Sequence, residues 1–521
     1  MTRSPNTNAA VPEREQWTGQ IGFILSAIGS AVGLGNIWRF PGVAYESGGG
    51  AFLIPYLVAL ITAGIPILFL DYAIGHRYRG SAPLALRRLA GKFGEGLGWF
   101  QVVIAAAIAV YYAGVLAWAA SYFIFSFDQR WGDDPTAFFV GDYLKASSSP
   151  FTLDFVPGVL IPLVLMWVVL LVVLGAGVVK GVQRANVIIM PALIFFFLAL
   201  VIRALFLPGA VDGLNAFFTP DFGALADPSV WAAAYSQVFF SLSIAFGIML
   251  TYSSYRKRRS NMTGAGLVVA FANSSFEIVA GIGVFATLGF FAHQQGVAVG
   301  ELEGLTGVGL AFMTFPAIVS EMAGGGFFGA LFFGTLALAG LTSFISILEV
   351  VIAAIRDKFG LSRIQATAWI GVLPIISIVL LGTTSGLTAL DTIDQWANNI
   401  GIVVSAIVMT VFVIWVRRDG NQLASHINAV STFRIGKLWL FFTGVLSPAV
   451  LAYILVAKII ELITEGYAGY DTWYLVVAGW GTIVLAVAGA VLLPMLAWRH
   501  DPDKFETWPT SEQLLEKGGA R

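Results

Sequence analysis

The sequence contains no cysteine, which excludes a disulfide framework, thiolate catalysis and a cysteine-based metal site. Charge is scarce as well, because 11% of the 521 residues are charged, whereas about a quarter are charged in a soluble domain. The net charge of -1 provides no bulk attraction to nucleic acid. The four histidines lie at or outside the ends of the apolar segments and are expected to be unpaired: His76, His293, His426 and His500. We therefore expect neither an enzyme nor a nucleic-acid-binding protein.

Apolar sequence is abundant instead, at 58% of the chain. Segments near or above the roughly 20 apolar residues that cross a bilayer recur along it. There are twelve, at residues 20–43, 51–77, 98–126, 156–178, 184–207, 229–256, 263–293, 327–356, 364–382, 388–416, 437–463 and 473–498. They predict an all-α polytopic membrane protein with twelve transmembrane helices. Residues 1–20 lack the apolar core of a signal peptide, so the first span is expected to direct insertion.

Positive charge is distributed unevenly between the predicted loops. Of the 29 lysines and arginines, 24 fall in alternate loops and in the two terminal segments, all on one predicted side of the membrane. Because cytoplasmic loops carry an excess of lysine and arginine, both termini are expected to be cytoplasmic. An even number of spans agrees with that topology.

Two segments on the opposite side are too long to be simple connections. Residues 127–155 are polar, whereas residues 294–326 are apolar and broken by Pro316 and several glycines. An apolar stretch of this kind is too short and too interrupted to span a bilayer. It predicts a re-entrant or surface hairpin over a vestibule, and a loosely packed external loop is the alternative.

The first span is interrupted by polar and flexible residues between Gly29 and Pro41. This stretch contains Gly33, Gly35, Asn36 and Arg39 inside a hydrophobic run. Backbone opened at membrane depth persists only where it lines a protein cavity, and intramembrane polar groups indicate a functional site. A broken helix with freed carbonyls is typical of ion sites in secondary transporters.

The centre of the sixth span, residues 236–247, repeats this pattern. It contains Ser241, Ser243 and Gly247, with aromatic residues on each side. Interrupted helices at corresponding positions of two halves predict inverted repeats with a substrate site at their interface. We therefore predict two inverted five-helix repeats with broken helices 1 and 6.

These strings, together with the run from Gly48 to Tyr56, resemble the neurotransmitter:sodium symporter family over roughly residues 14–416. The resemblance implies a bacterial amino-acid transporter of the inner (cell) membrane. The implied organisation is a cytoplasmic segment 1–19, repeats at 20–207 and 229–416, peripheral spans within 437–498 and a cytoplasmic tail 499–521.

Family members bind two sodium ions, and the matching positions are present here. The first sodium site is implied at Ala31, Asn36, Ser241 and Asn273, and the second at Gly29, Val32, Ala339, Thr342 and Ser343. All of these positions offer oxygen, the ligand that hard cations prefer. For the hydroxyls of Thr342 and Ser343, hydrogen bonding to carbonyls of their own helix is the alternative interpretation.

Glu277 stands where chloride-dependent members carry a serine, with Tyr56, Gln237 and Ser241 at the positions of the chloride partners. A fixed carboxylate beside the first sodium site replaces the charge of chloride. A buried carboxylate that loses its cation also tends to take up a proton. We expect chloride independence with proton antiport through Glu277; a permanently ionised or hydrogen-bonded glutamate is the alternative.

The substrate class follows from Gly33, where monoamine carriers of the family have an aspartate. Glycine leaves room for a substrate carboxylate, which the amides of Leu34–Gly35 and the hydroxyl of Tyr112 are expected to bind. The implied substrate-binding residues are Ala31, Leu34, Gly35, Ile108, Tyr112, Phe240, Ser241, Ser243, Phe246, Ser343 and Ile347.

This pocket carries no charge and fits a neutral, small to medium hydrophobic amino acid. Ala245 and Phe344 replace the glycine and serine of the family's structural prototype, and their bulk either shrinks or reshapes the pocket. One methyl group discriminates by only about 1–3 kcal/mol, so alanine, valine, leucine and methionine all stay open.

The resemblance also implies two gates. An outer gate pairs Arg39 with Asp394, with Phe240 as a lid over the substrate. On the cytoplasmic side, a latch joins Arg14 and Trp17 to Asp357 and Tyr255. An exposed ion pair contributes only about 0–1 kcal/mol, which suits a gate that opens in each cycle. For Arg14, an ordinary positive-inside arginine is the alternative.

We therefore predict sodium-coupled symport by alternating access. Matched inner and outer gates argue against a channel. A non-transporting amino-acid sensor on the same scaffold stays open, since it would keep the same site. The last two spans lie outside the repeats, and their apolar faces are expected to serve a homodimer, a small accessory membrane subunit or lipid alone.

Overall fold

The fold is all-helical throughout the part of the chain that the structure describes. This computed structural model describes residues 15–147, 149–220, 222–302, 307–507 and 509. Within those ranges the extended structure amounts to one isolated antiparallel bridge, between Phe155 and Thr383. The predicted all-α class is confirmed.

Ten helices are long and apolar enough to cross a membrane. They are Gly50–Tyr78, Ala82–Phe125, Pro157–Gly175, Val178–Leu205, Met262–Gln295, Gly325–Phe359, Arg363–Leu381, Gly386–Val416, Lys437–Thr464 and Thr472–Met495. An eleventh span consists of Gln20–Ala31 and Gly35–Glu46, bent by 53° at the break. The sixth span falls short of the length test because it is split into Pro228–Ser241 and Ile248–Ser254. With it, the described residues form the twelve predicted spans, numbered 1–12 below in chain order.

Side chains that accept hydrogen bonds from backbone amides cap the starts of spans 6 and 7. The Asp227 carboxylate accepts a hydrogen bond from the Ser229 amide (2.8 Å) at the start of span 6. Asn261 does the same for span 7, accepting from the Gly264 amide at 3.0 Å. Such caps satisfy amide groups that the first helical turn leaves without partners.

The helices differ in how far they are enclosed by protein. In spans 3 and 8, 83% of the apolar window is buried inside the protein, whereas the share is 17% in span 12. Spans 3 and 8 therefore form the centre of the bundle, and span 12 lies at its edge. Span 3 also begins with a separate arm, because Ala90 and Gly91 have non-helical backbone angles.

Spans 1 and 6 are both broken near their middle, and each is the first of five consecutive spans. Because five is odd, the second set enters the membrane from the side opposite to the first. The two sets therefore run in opposite directions, as inverted repeats require.

The apolar stretch between spans 7 and 8 is packed onto the bundle. Its helix Gly307–Ser320 is too short to span a membrane. Phe312 in this helix is fully buried, stacks on Phe139 at 5.2 Å and contacts Trp38 at 5.9 Å. This packing argues against the loosely packed external loop that was the alternative to a re-entrant or surface hairpin.

Both described ends of the chain lie on one side of the bundle, here called the terminal side; the opposite side is the distal side. Lys358 at the end of span 8 donates to Glu95 at 2.6 Å, and Arg87 and Trp498 donate to the same carboxylate. The side chains of Lys358 and Glu95 are fully buried. This group ties the arm of span 3 to span 8 and to the segment after span 12.

We predict that Glu95→Gln destabilises the protein, because it leaves the buried Lys358 without a counter-charge. Breaking a buried pair in this way costs about 3–5 kcal/mol. A matched control is Glu461→Gln, since Glu461 also pairs with a lysine (Lys458) at 2.6 Å but is 46% exposed. Exposed pairs contribute about 0.2–1 kcal/mol. Thermal unfolding followed by circular dichroism should show a large fall in Tm for the first variant only; equal shifts would contradict the assignment.

Candidate functional site

The break in span 1 exposes backbone groups that neighbouring side chains satisfy. The helix ends at Ala31 and resumes at Gly35. The Gly33 amide donates to the Asn36 side-chain oxygen at 2.9 Å, and the Leu34 amide donates to the Tyr112 hydroxyl at 3.5 Å. A Cβ at Gly33 would lie 3.1 Å from the Tyr112 hydroxyl and closer still to Ser343, so glycine allows spans 3 and 8 to approach the break.

The break in span 6 meets the break in span 1. Ser243, Ala245 and Gly247 all have left-handed backbone conformations, with φ of +53°, +65° and +90°. Such conformations are strained for non-glycine residues and persist only where the surroundings hold them. The Ser243 hydroxyl donates to the Ser30 carbonyl at 3.0 Å, which joins the two breaks directly.

Asp71 in span 2 holds the second break and was not singled out by the sequence analysis. Its carboxylate is fully buried and accepts a hydrogen bond from the Ala245 amide at 3.0 Å. The Ser405 hydroxyl donates to the Ala245 carbonyl at 2.6 Å. A lone acid in the apolar run of span 2 was the available signal, because such residues indicate functional positions inside a membrane.

The side chains predicted for the first sodium site form one buried cluster. The Asn36 amide donates to the Asn273 oxygen at 2.8 Å, and the Asn273 amide donates to the Ser241 hydroxyl at 3.1 Å. Ala31 lines the same cavity as Asn36 and Ser241. Residues from spans 1, 6 and 7 that are distant in sequence thus bring their oxygens together.

Glu277 lies directly against this cluster and is fully buried. Its carboxylate accepts hydrogen bonds from Gln237 at 2.6 Å, from Ser241 at 3.4 Å and from Tyr56. Asn273 is a further donor, at 3.4 Å. The three residues at the family's chloride positions therefore surround the carboxylate of Glu277. The Glu277 carboxylate is thereby held next to Ser241 and Asn273, two of the residues predicted to bind the first sodium ion.

The residues predicted for the second sodium site meet where span 8 crosses the break in span 1. The Ser343 hydroxyl lies 3.3 Å from the Gly29 carbonyl and 3.5 Å from that of Val32. The Thr342 hydroxyl bonds to the Ala339 carbonyl of its own helix at 2.9 Å. The alternative interpretation of Thr342, a hydrogen bond to a carbonyl of its own helix, is therefore observed, and the residue also lies among the predicted ligands of the second sodium site. All five residues are buried.

A cavity of about 40 Å³ lies between the two breaks. Its lining includes every residue predicted to bind substrate and no charged side chain. Tyr111 and Asn398 also line it and were not predicted; the Asn398 amide donates to the Tyr111 hydroxyl at 3.0 Å. Neither Ala245 nor Phe344 is among the lining residues. Phe344 instead packs behind a lining residue, because the centroid of its ring lies 5.6 Å from that of Tyr112.

A vestibule of about 490 Å³ opens on the distal side. Phe240 lines both the vestibule and the smaller cavity, as a lid between them would. The Arg39 guanidinium lies over the Phe240 ring, 4.4 Å from its centroid. Arg39 and Asp394 both border the vestibule, but among the described ion pairs within 4.0 Å they do not form one. The predicted ion pair between Arg39 and Asp394 is therefore not formed in this structure.

The terminal side is closed by the segment that precedes span 1. Trp17 is buried, and its backbone amide donates to the Tyr255 carbonyl at 3.1 Å. Of the other predicted latch residues, Asp357 accepts from the Ser81 amide at 2.8 Å, and Arg14 lies outside the described residues.

Glu15 supplies an ion pair to this closure that the sequence analysis did not include. It pairs with Arg356 at 2.9 Å and lies 3.8 Å from Arg363. Burial raises the pKa of Glu15, but Arg356, the Val178 amide and Arg363 outweigh it and hold that pKa below its ordinary value.

The expectation of unpaired histidines is wrong for two of them. His76 Nδ1 lies 2.9 Å from His426 Nε2, and both rings are buried. The helix Gly420–Val430 carries His426 against the end of span 2. Because 350 positions separate the two residues, only the tertiary fold could reveal the pair.

Comparisons with known proteins agree with one another. The model of the sodium:neurotransmitter symporter family matches residues 14–134 and 131–500. A Methanocaldococcus jannaschii protein described as an uncharacterized sodium-dependent transporter is 40% identical over 481 residues, covering 92% of this chain and 96% of that protein. The sodium- and chloride-dependent GABA transporter 2 of Rattus norvegicus is 30% identical, covering 97% and 89%. The crystal structure of MhsT in complex with L-phenylalanine has a TM-score of 0.72 and 31% identity, covering 86% of this chain and 100% of that one.

We predict that Asp71→Leu destabilises the broken span 6, because the buried Ala245 amide loses its acceptor. An unsatisfied buried donor costs about 1–3 kcal/mol. The matched variant Asp71→Asn keeps a side-chain oxygen at the same place and should unfold close to the unmodified protein. Melting temperatures of the two variants, measured in the same detergent, provide the check. A melting temperature for Asp71→Asn as low as that of Asp71→Leu would show that the acceptor is not what matters.

Proposed function

The chain belongs to the sodium:neurotransmitter symporter family, and we propose that it couples sodium entry to the uptake of a neutral hydrophobic amino acid. It is a sodium-dependent, multi-pass membrane transporter. Its family consists of transporters and not of enzymes. The observation that carries the proposal is the uncharged cavity formed where the two helix breaks meet.

The cavity has groups suited to the carboxylate and to the apolar side chain of an amino acid. The Tyr112 hydroxyl accepts from the Leu34 amide and keeps its own proton to donate to a carboxylate. The apolar side chains of Ile108, Phe246 and Ile347 are left for the substrate side chain. Because the lining offers no charged partner to a lysine or glutamate side chain, a neutral hydrophobic substrate of small to medium size is proposed. MhsT, whose structure contains L-phenylalanine, supports the amino-acid class.

Sodium is proposed to bind at the two clusters described above. The first would use oxygens of Ala31, Asn36, Ser241 and Asn273 together with the substrate carboxylate, and the second would use Gly29, Val32, Ala339, Thr342 and Ser343. The chemistry of both sets fits a hard cation, because every donor is oxygen. The vestibule lining contributes Glu46, Asp391 and Asp394 against Arg39. A net negative entrance raises the local sodium concentration.

Chloride is proposed to be dispensable because Glu277 supplies the negative charge. This would distinguish the chain from the rat GABA transporter 2, which is described as sodium- and chloride-dependent. When sodium leaves, the Glu277 carboxylate would be buried without a counter-ion, and taking up a proton would relieve that cost. We accordingly propose proton antiport on the return step.

Alternating access is proposed to proceed between two closures on opposite sides of the cavity. In this structure the vestibule is open on the distal side down to Phe240, and the terminal side is closed by Trp17 and the Glu15–Arg356 pair. The positive-inside distribution makes the terminal side cytoplasmic, with both termini there. The location proposed is the inner (cell) membrane of a bacterium.

Spans 11 and 12 are proposed to face lipid or a partner. Of their apolar windows, 33% and 17% are buried within the chain, and spans 4 and 5 are similarly uncovered, at 28% each. A homodimer, a small accessory membrane subunit and lipid alone would each cover such a surface.

The proposed function is tested by uptake into proteoliposomes. A set of labelled neutral amino acids is supplied with an inward sodium gradient or with none, in chloride or in gluconate. Accumulation above the external concentration that needs the gradient would support symport, and competition would then rank the substrates. Sodium-dependent binding without accumulation would refute transport and favour a sensor.

We predict that Glu277→Ser makes transport depend on chloride. In gluconate its uptake should fall by about tenfold or more, since the charge balance of a buried site is lost. Chloride should restore it, while the unmodified protein transports equally in both salts. The control is Glu321→Ser, which removes an exposed acid on the surface. If the Glu277→Ser protein transported equally in both salts, or in neither, the charge-replacement proposal would fail.

A further inference from the structure

The vestibule offers its arginine a choice of two partners. Asp391 and Asp394 lie one turn apart on span 10, and both border the vestibule. Among the described lining residues, Arg39 is the cation that could pair with either. An ion pair with Asp391 instead of Asp394 would close the vestibule one helical turn away, about 5 Å along the axis.

Asp391 already has two partners of its own. The Tyr467 hydroxyl donates to one carboxylate oxygen at 2.8 Å, and the Tyr470 hydroxyl donates to the other at 3.1 Å. Both tyrosines belong to the segment between spans 11 and 12, which lies outside the two repeats. Each oxygen of Asp391 thus has a donor other than Arg39. A carboxylate satisfied in this way gains less from a new ion pair.

Asp394 also has donors, but they come from within the bundle and not from the peripheral turn. It accepts a hydrogen bond from Asn398 at 2.6 Å, within the same helix, and the Tyr111 hydroxyl of span 3 is a second side-chain donor to it. Asn398 also donates to Tyr111 of span 3, which places this carboxylate toward the substrate cavity that both residues line.

The tyrosines are positioned by a folded turn. Gly466, Ala468 and Gly469 all have left-handed backbone conformations, and the Tyr470 amide donates to the Tyr467 carbonyl at 3.0 Å. The Tyr467 ring packs 5.9 Å from that of Trp396, which is fully buried in span 10. The turn is therefore anchored on the same helix that carries both aspartates.

We propose that Tyr467 and Tyr470 are positioning residues of the outer gate, which occupy Asp391 so that Arg39 closes onto Asp394. This inference rests on the proposed alternating access. It gives the peripheral spans 11 and 12 a part in transport, because their connecting turn sets the register of closure.

The test uses Tyr467→Phe/Tyr470→Phe, which removes both hydroxyls and keeps both rings. Asp391 is then free to compete for Arg39. We expect KM for substrate to rise by about fivefold, the effect of one misdirected ion pair of ordinary strength, with a smaller change in kcat. Adding Asp391→Asn removes the competitor and should return KM to that of the unmodified protein. Tyr453→Phe, an exposed position on span 11, is the control.

A second readout follows closure directly. Because the chain has no cysteine, Met313→Cys in the vestibule lining provides a unique label site. Sodium and substrate should protect this cysteine from a membrane-impermeant thiol reagent in the otherwise unmodified protein. They should protect it less in the double phenylalanine variant and fully again once Asp391→Asn is added.

Two results would overturn the inference. One is a double variant indistinguishable from Tyr453→Phe; the other is a defect that Asp391→Asn does not repair, which would indicate a merely structural role. Failure of the proposed function is distinguishable, because it would appear as absent uptake in the Met313→Cys protein itself. The protection comparison needs no flux and would still decide the role of the tyrosines.

Discussion

The rest of the structure depends on one constraint: backbone opened inside an apolar bundle must find hydrogen-bond partners there. The break in span 1 finds them in Asn36 and Tyr112, and the break in span 6 finds them in Asp71 and Ser405. The same side chains border the cavity between the two breaks or hold its wall. The groups that make the broken helices tolerable therefore also build the site.

The charged side chains differ in the same way. A charged group that is buried among partners is fixed, whereas one at the vestibule can change its partner. Around Glu95, the ionic contacts are buried and join parts of the scaffold. Glu277 is also buried, but its partners are neutral donors. None of its hydrogen-bond partners in the described part of the chain carries a positive charge. At the vestibule, Arg39 rests on an aromatic ring and not on a carboxylate, which leaves it able to change partner.

Sequence reasoning predicted the twelve spans and the two breaks because both depend on local properties, namely apolar length and interrupting glycines. It also named the cavity lining through the family resemblance. It missed Asp71, Tyr111 and Asn398, whose roles come from contacts between spans. It wrongly treated His76 and His426 as unpaired for the same reason: 350 positions separate them.

The sequence by itself determined that the chain is a helical membrane protein with two interrupted spans, since hydropathy and glycine placement act within single segments. Only the tertiary structure decided which carboxylate serves which purpose. Asp71 supports a backbone break, and Asp391 is held by two tyrosines from the segment between spans 11 and 12. The physical reason is that a carboxylate's role is set by the donors within about 3 Å of it, and here those donors come from distant spans.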